Sequence, residues 1–117
     1  MTNWIDRGKS FEAEYSRNQE LAFRITARRN RLFGLWAAAK IGLAAGEGGE
    51  AYAKTVVAAD FEAPGDDDVI AKVRDDLAAK GVIITEAELR AQLARAAAEA
   101  RQQVLALDAV SDAPPRW

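Results

Sequence analysis

Apolar positions recur along this chain at helical spacing, and they divide it into one long segment and three shorter ones. In the long segment, Leu21–Leu43, the side chains of Leu21, Ile25, Leu32, Trp36 and Leu43 fall on one face, with Phe33 and Ala22 at its shoulder. Arg17, Arg24, Arg28 and Arg31 line a neighbouring face, roughly a quarter-turn away. Arg29 lies on the apolar side, so its stem is expected to pack and its head to seek a partner. Trp36 and Phe33 are expected in the core. The glycines between Gly42 and Gly46 predict the end of this helix, since glycine takes the left-handed cap conformation without strain. The run Gly46–Gly49, GEGG, reads as a connector. It lacks the Gly-Lys-Ser/Thr ending that a phosphate-cradling loop needs. A second helix is predicted from Glu50 to near Ala63, with Tyr52, Val56 and Val57 inward and Pro64-Gly65 as its stop.

Asp66, Asp67 and Asp68 open a third helix. There they can cap the first N–H groups and complement the helix dipole. Three consecutive residues point in different directions, which argues against a shared cation. Val69, Ile70, Val73 and Leu77 form the stripe of this helix, and Gly81 ends it. Thr85 and Glu88 then make a capping box, with Ile84 and Leu89 placed as a hydrophobic staple across it. Leu89, Leu93, Ala96, Ala100, Val104 and Leu107 continue as an alanine-lightened stripe suited to close helix–helix approach. Val82-Ile83-Ile84 is β-branched but too short, and too tightly bounded, to be a strand. The predicted fold is therefore all-α, a small bundle of about four helices with a long first helix and a flexible N-terminal segment.

Residues 1–19 stand apart. Trp4, Phe11 and Tyr15 are compatible with one helical face, but Gly8 costs about 1 kcal/mol against alanine and short isolated helices are marginal in water. The segment is expected to be disordered when free. Ser16, Asn18 and Gln19 are the expected hinge, because short polar side chains compete for backbone hydrogen bonds. The predicted organisation is 1–19 as an N-terminal binding segment, 20–110 as the bundle, and 111–117 as a flexible tail that Pro114-Pro115 keeps from continuing the helix.

Composition narrows what such a bundle can do. At 117 residues, half of them hydrophobic and 29% charged, the chain is globular and of one-domain size. It has neither His nor Cys, so the commonest general base, nucleophile and soft metal ligand are missing. An enzyme, a metal site and a disulfide framework are not expected. The net charge of −2 gives no general attraction to nucleic acid or anionic membrane. No apolar run approaches the ~20 residues of a membrane span, and no secretory signal opens the chain. A soluble, cytoplasmic protein is expected.

Two functional features remain. The arginine face of Arg24, Arg28 and Arg31 can meet an anion, an acidic protein surface or the chain's own carboxylates. The aromatic N-terminal segment has no neighbouring helix in sequence to bury it. It has the form of an amphipathic segment that orders in a partner's groove.

The run ARRNRLFGLWAAAKIGL, followed by AYAKTVVAADF and PGDDDV, resembles the zeta-subunit family of alpha-proteobacterial ATP synthases. The shared positions include Arg28, Arg29, Asn30, Leu32, Gly34, Leu35, Trp36, Lys40 and Gly42, then Tyr52, Ala53, Val56, Asp60, Phe61, Pro64, Gly65 and Val69. Asp6, Arg7, Lys9, Phe11, Glu12 and Tyr15 fit the N-terminal pattern more loosely, and the resemblance spans about residues 4 to 107. It implies an inhibitory subunit of the F-type ATP synthase. The N-terminal helix would enter a catalytic alpha–beta interface, meet the gamma subunit and block ATP hydrolysis and reverse rotation. Trp4, Arg7, Phe11, Glu12 and Tyr15 are the implied contacts. Gly8 stands where an acidic residue is expected, which lowers helix propensity in the bound form. The implied protein is a monomer when free, without membrane insertion, and peripheral to the inner membrane through the synthase. No cofactor is implied, although weak adenine-nucleotide binding is compatible with the resemblance. A helical adenine-nucleotide sensor is the alternative function, and a nucleic-acid-binding module the next.

Overall fold

The computed structural model describes the backbone of residues 3–43, 46–61 and 65–112, and the side chains of residues 15–43, 46–61 and 65–109. The helices are α1 (Asn3–Lys40), α2 (Glu47–Asp60), α3 (Asp67–Ala79) and α4 (Glu86–Asp112). No strand occurs among the described residues. Val82 and Ile84 pack against the core from an irregular segment, and Ile83 is exposed. The tail from 113 onward lies outside the described residues.

Helix α1 begins well before Leu21 and passes unbroken through Ser16, Asn18 and Gln19, where a hinge was expected. Two contacts support the helix there. Gln19 Nε2 donates to the Tyr15 hydroxyl one turn earlier, at 3.0 Å, and Arg17 pairs with Asp108 of α4. At its other end, Gly42 takes a φ of +84°. The Leu43 N–H then donates to the Ala38 carbonyl and the Gly42 N–H to that of Ala39. This is a Schellman cap, and Gly81 closes α3 in the same way through Val82 and Leu77.

The buried side of α1 differs from the predicted one. Asn30, Phe33, Gly34, Ala37 and Ala38 are buried, a face nearly half a turn from the Leu21–Ile25–Leu32–Trp36–Leu43 stripe. Leu32 and Trp36 pack half-buried at the core's edge, and Leu43 is largely exposed. The reason is α2. Gly34 lies so close to it that a Cβ there would sit 2.8 Å from the Ala53 Cα. A face of glycine and alanine lets two backbones approach, and close packing along their length outweighs a few larger side chains turned inward. Trp36 still contributes by stacking on Phe33, with ring centroids 5.7 Å apart and planes 7° from parallel.

Helix α2 also begins earlier than predicted. Glu47, Gly48 and Gly49 are its first turn rather than a connector, with Gly49 buried and Glu47 and Glu50 complementing the dipole. The stripe of α3 is the predicted one: Val69, Ile70, Val73 and Leu77 are all buried. Its capping is not. Asp66 occupies the N-cap position without making a side-chain cap bond, because its carboxylate pairs with Arg29 at 3.0 Å. Arg29 itself is nearly buried, so this pair neutralises a charge that would otherwise be stranded. Between α2 and α3, Tyr52 donates its hydroxyl to Asp76 at 2.8 Å, and Lys72 meets the same carboxylate at 3.0 Å. Burial first, then the bond to Asp76, pushes the Tyr52 phenol well above its ordinary pKa, which keeps it a donor.

In α4, Leu89, Leu93, Ala96, Ala100 and Val104 are buried as predicted, but Leu107 is half exposed. Of the capping box, the Thr85 half is formed: the Glu88 N–H donates to Thr85 Oγ1 at 3.1 Å. Thr85→Ala together with Glu88→Ala is expected to destabilise the fold by about 1–2 kcal/mol, most of it from Thr85. Denaturant midpoints unchanged within error would show that this bond contributes nothing.

Candidate functional site

Trp4, Arg7, Phe11 and Glu12 belong to the first turns of α1, and their side chains lie outside the described residues. Tyr15 is the first described side chain of the N-terminal segment. It is 59% exposed, so its ring is free to meet another molecule. From Tyr15 to Arg29, no residue of α1 is fully buried, and Asn30 is the first that is. The described stretch from Tyr15 to Arg29 therefore meets its neighbours through its surface, and the stretch from Asn30 onward enters the core.

The arginine face supplies that surface contact. Arg17 and Arg24 both reach Asp108, at 2.5 and 3.9 Å. Arg28 donates through Nε to Gln103 Oε1, and Gln103 in turn donates to Glu99. Arg31 engages both carboxylate oxygens of Glu50 on α2. Arg24, Arg28 and Arg31 are thus spent, in good part, on holding α1 to its neighbours. They line a groove of about 390 Å³ whose walls include Phe23, Val57, Val104 and Leu107. An anion meeting these guanidiniums would compete with Asp108, Gln103 and Glu50.

A second cationic cluster joins α1, α3 and α4. Arg29 pairs with Asp66, and Arg90 with Asp67 at 2.8 Å and Glu86 at 2.9 Å. The carboxylates outnumber the guanidiniums, although Arg29 Nη2 is buried without a hydrogen-bond partner. Among the described residues, no group of acidic side chains is placed to hold a metal ion, and no helix is long and apolar enough to cross a membrane.

Two residues of this region escaped the sequence pattern. Phe23 meets Phe61 of α2 with ring centroids 5.8 Å apart, and both rings are largely exposed. Asp108 follows Val104 by four residues, so the inward stripe of α4 continues through an acid and not through Leu107. The four-residue spacing was the available signal. An acid at the end of an apolar stripe reads as its termination unless a cation on the facing helix is known.

No curated protein matches the chain. The model of the family described as ATPase inhibitor subunit zeta matches residues 1–103, which takes in the N-terminal segment, α1 to α3 and most of α4. With that match covering most of its length, the chain belongs to the ATPase inhibitor subunit zeta family.

Proposed function

We propose that the chain inhibits ATP hydrolysis by the F-type ATP synthase, with residues 1–19 as the inhibitory element and the helical bundle of residues 20–110 as its anchor. The segment enters a catalytic alpha–beta interface of the synthase head, meets the gamma subunit, and blocks rotation in the hydrolytic direction. Trp4, Phe11 and Tyr15 are the apolar anchors, and Arg7 and Glu12 the polar contacts. The inhibitor is itself non-catalytic, needs no cofactor and acts as a monomer beside the inner membrane. The observation that carries this reading is the family match reaching back to residue 1, so that the segment is part of what the family shares. Helix α1 supports it, because it carries the segment on the same rod whose far half is locked into the core.

The alternative of adenine-nucleotide sensing through Arg24, Arg28 and Arg31 is disfavoured by Asp108, Gln103 and Glu50, which already occupy those guanidiniums. Nucleic-acid binding is disfavoured on the same ground.

A photo-reactive phenylalanine analogue at position 11 tests the placement. Irradiation with the matching ATP synthase head should cross-link it to the alpha or beta subunit. Cross-links from an analogue at position 61 and none from position 11 would put the contact on the bundle instead.

A further inference from the structure

We infer that Asp108 is a positioning residue for the inhibitory segment: its carboxylate clasps Arg17 and Arg24 and so holds the front of α1 against α4. This rests on the reading of residues 1–19 as the inhibitory element.

The two arginines are two turns apart on α1, Arg17 within the polar stretch Ser16–Gln19 and Arg24 beyond it. One carboxylate therefore ties the expected hinge itself to the helix after it. Among the described residues, no fully buried apolar side chain of this stretch of α1 does this work. The α1 residues from Tyr15 to Arg29 include none that is fully buried, and on α4 the last buried residue of the stripe is Val104. Past Val104, Leu105 and Leu107 are exposed while the Asp108 side chain is only 21% exposed, so the carboxylate is the inward-facing group of its turn. Its partial burial reduces the solvent screening that makes most surface pairs weak. A charge shared by two guanidiniums also fixes a direction, since the bond is lost if α1 bends away or rotates. The polar seam continues behind it through Gln103 and Arg28. Asp108 lies at its outer end and reaches Arg17 in the N-terminal segment.

Holding α1 straight through Ser16–Gln19 leaves less of the segment to be ordered on binding, and pre-ordering of this kind raises affinity without adding a contact. Asp108 touches no partner in this account and acts through Arg17 and Arg24.

The test uses the full chain with Asp108→Asn, Arg17→Gln, the double variant and the conservative Asp108→Glu. In the free protein, Asp108→Asn should speed amide hydrogen exchange at Ser16–Glu20 by about three- to fivefold, with the core amides of α3 and the denaturant midpoint nearly unchanged. Inhibition of ATP hydrolysis by the matching synthase head should weaken by a similar factor. Asp108→Glu should restore most of it, and the double variant should lose less than the product of the single losses, because either change opens the same clasp. Exchange at Ser16–Glu20 that does not respond to Asp108→Asn overturns the clasp. Faster exchange with unaltered inhibition, or fully multiplicative losses, overturns its positioning role and leaves the inhibitory segment standing. An unmodified chain that fails to inhibit overturns the inhibitory reading itself, whatever the exchange shows, and removes the positioning role with it.

Discussion

A chain that begins at Glu20 should fold cooperatively and stay helical, yet no longer inhibit ATP hydrolysis by the matching synthase head. Among the described residues, the fully buried side chains, Phe33, Val56, Ile70, Leu77 and Leu89 among them, all lie beyond the deletion. Among the described side chains, the first buried residue of α1 is Asn30, and those the deletion removes are exposed, Arg17 with its contact to Asp108 among them. The loss to inhibition should be nearly complete, because the aromatic anchors leave with the segment. Phe11→Ala with Tyr15→Ala is the milder form of the same experiment. Buried aromatic anchors at interfaces commonly cost about 2 kcal/mol or more each on truncation, roughly thirtyfold in affinity. Tyr15 is exposed in the free chain and bonds only weakly within its own helix, so its removal should barely move the denaturant midpoint. If the truncated bundle inhibits as well as the full chain, residues 1–19 are not the inhibitor. The face of Arg24, Arg28 and Arg31, with the Phe23–Phe61 pair beside it, would then be the surface to test.

The parts of this fold that could be read from the sequence are those where one residue type carries the signal by itself. Val69, Ile70, Val73 and Leu77 have the right spacing and no rival face, so α3 was legible to the residue. Thr85 with Glu88, and Gly81 after α3, are local devices whose geometry depends on little outside their own turn. The inward side of α1 was not legible in the same way. Weighing residues by size points to Leu21, Leu32, Trp36 and Leu43, while the packed face is Asn30, Phe33, Gly34, Ala37 and Ala38. Small residues announce closeness only when the partner backbone is known. Charge pairing hid a second layer. Asp66 looks like a cap and serves Arg29, and Asp108 looks like the end of a stripe and serves Arg17 and Arg24. Both choices depend on which helices become neighbours. At the N-terminus, the aromatic spacing predicts a binding segment, and the partner proposed for it rests on the family and not on the spacing.

The close approach of α1 and α2 makes its own prediction at Gly34. In an open helix, glycine to alanine gains about 1 kcal/mol from propensity. At Gly34 a Cβ would meet the Ala53 Cα at 2.8 Å and Ala53 Cβ and Val56 Cγ2 at 3.2 Å each. The nearest of these is backbone, which cannot rotate aside. Overpacking of this kind costs about 1–3 kcal/mol, so Gly34→Ala should be destabilising by about 1 kcal/mol after the propensity gain is subtracted. Gly34→Leu should cost about 3 kcal/mol or more, because its branched end must displace α2 from the core that Val56 helps to fill. Gly48 is the internal comparison. It too is helical, but a Cβ there meets only Leu43 Cδ2 at an ordinary 3.8 Å. Gly48→Ala should therefore raise the denaturant midpoint while both Gly34 variants lower it. A Gly34→Leu chain as stable as the unmodified one would mean that α2 does not cross α1 at this point. The glycine-and-alanine face would then lose its role as the side on which the rod is held.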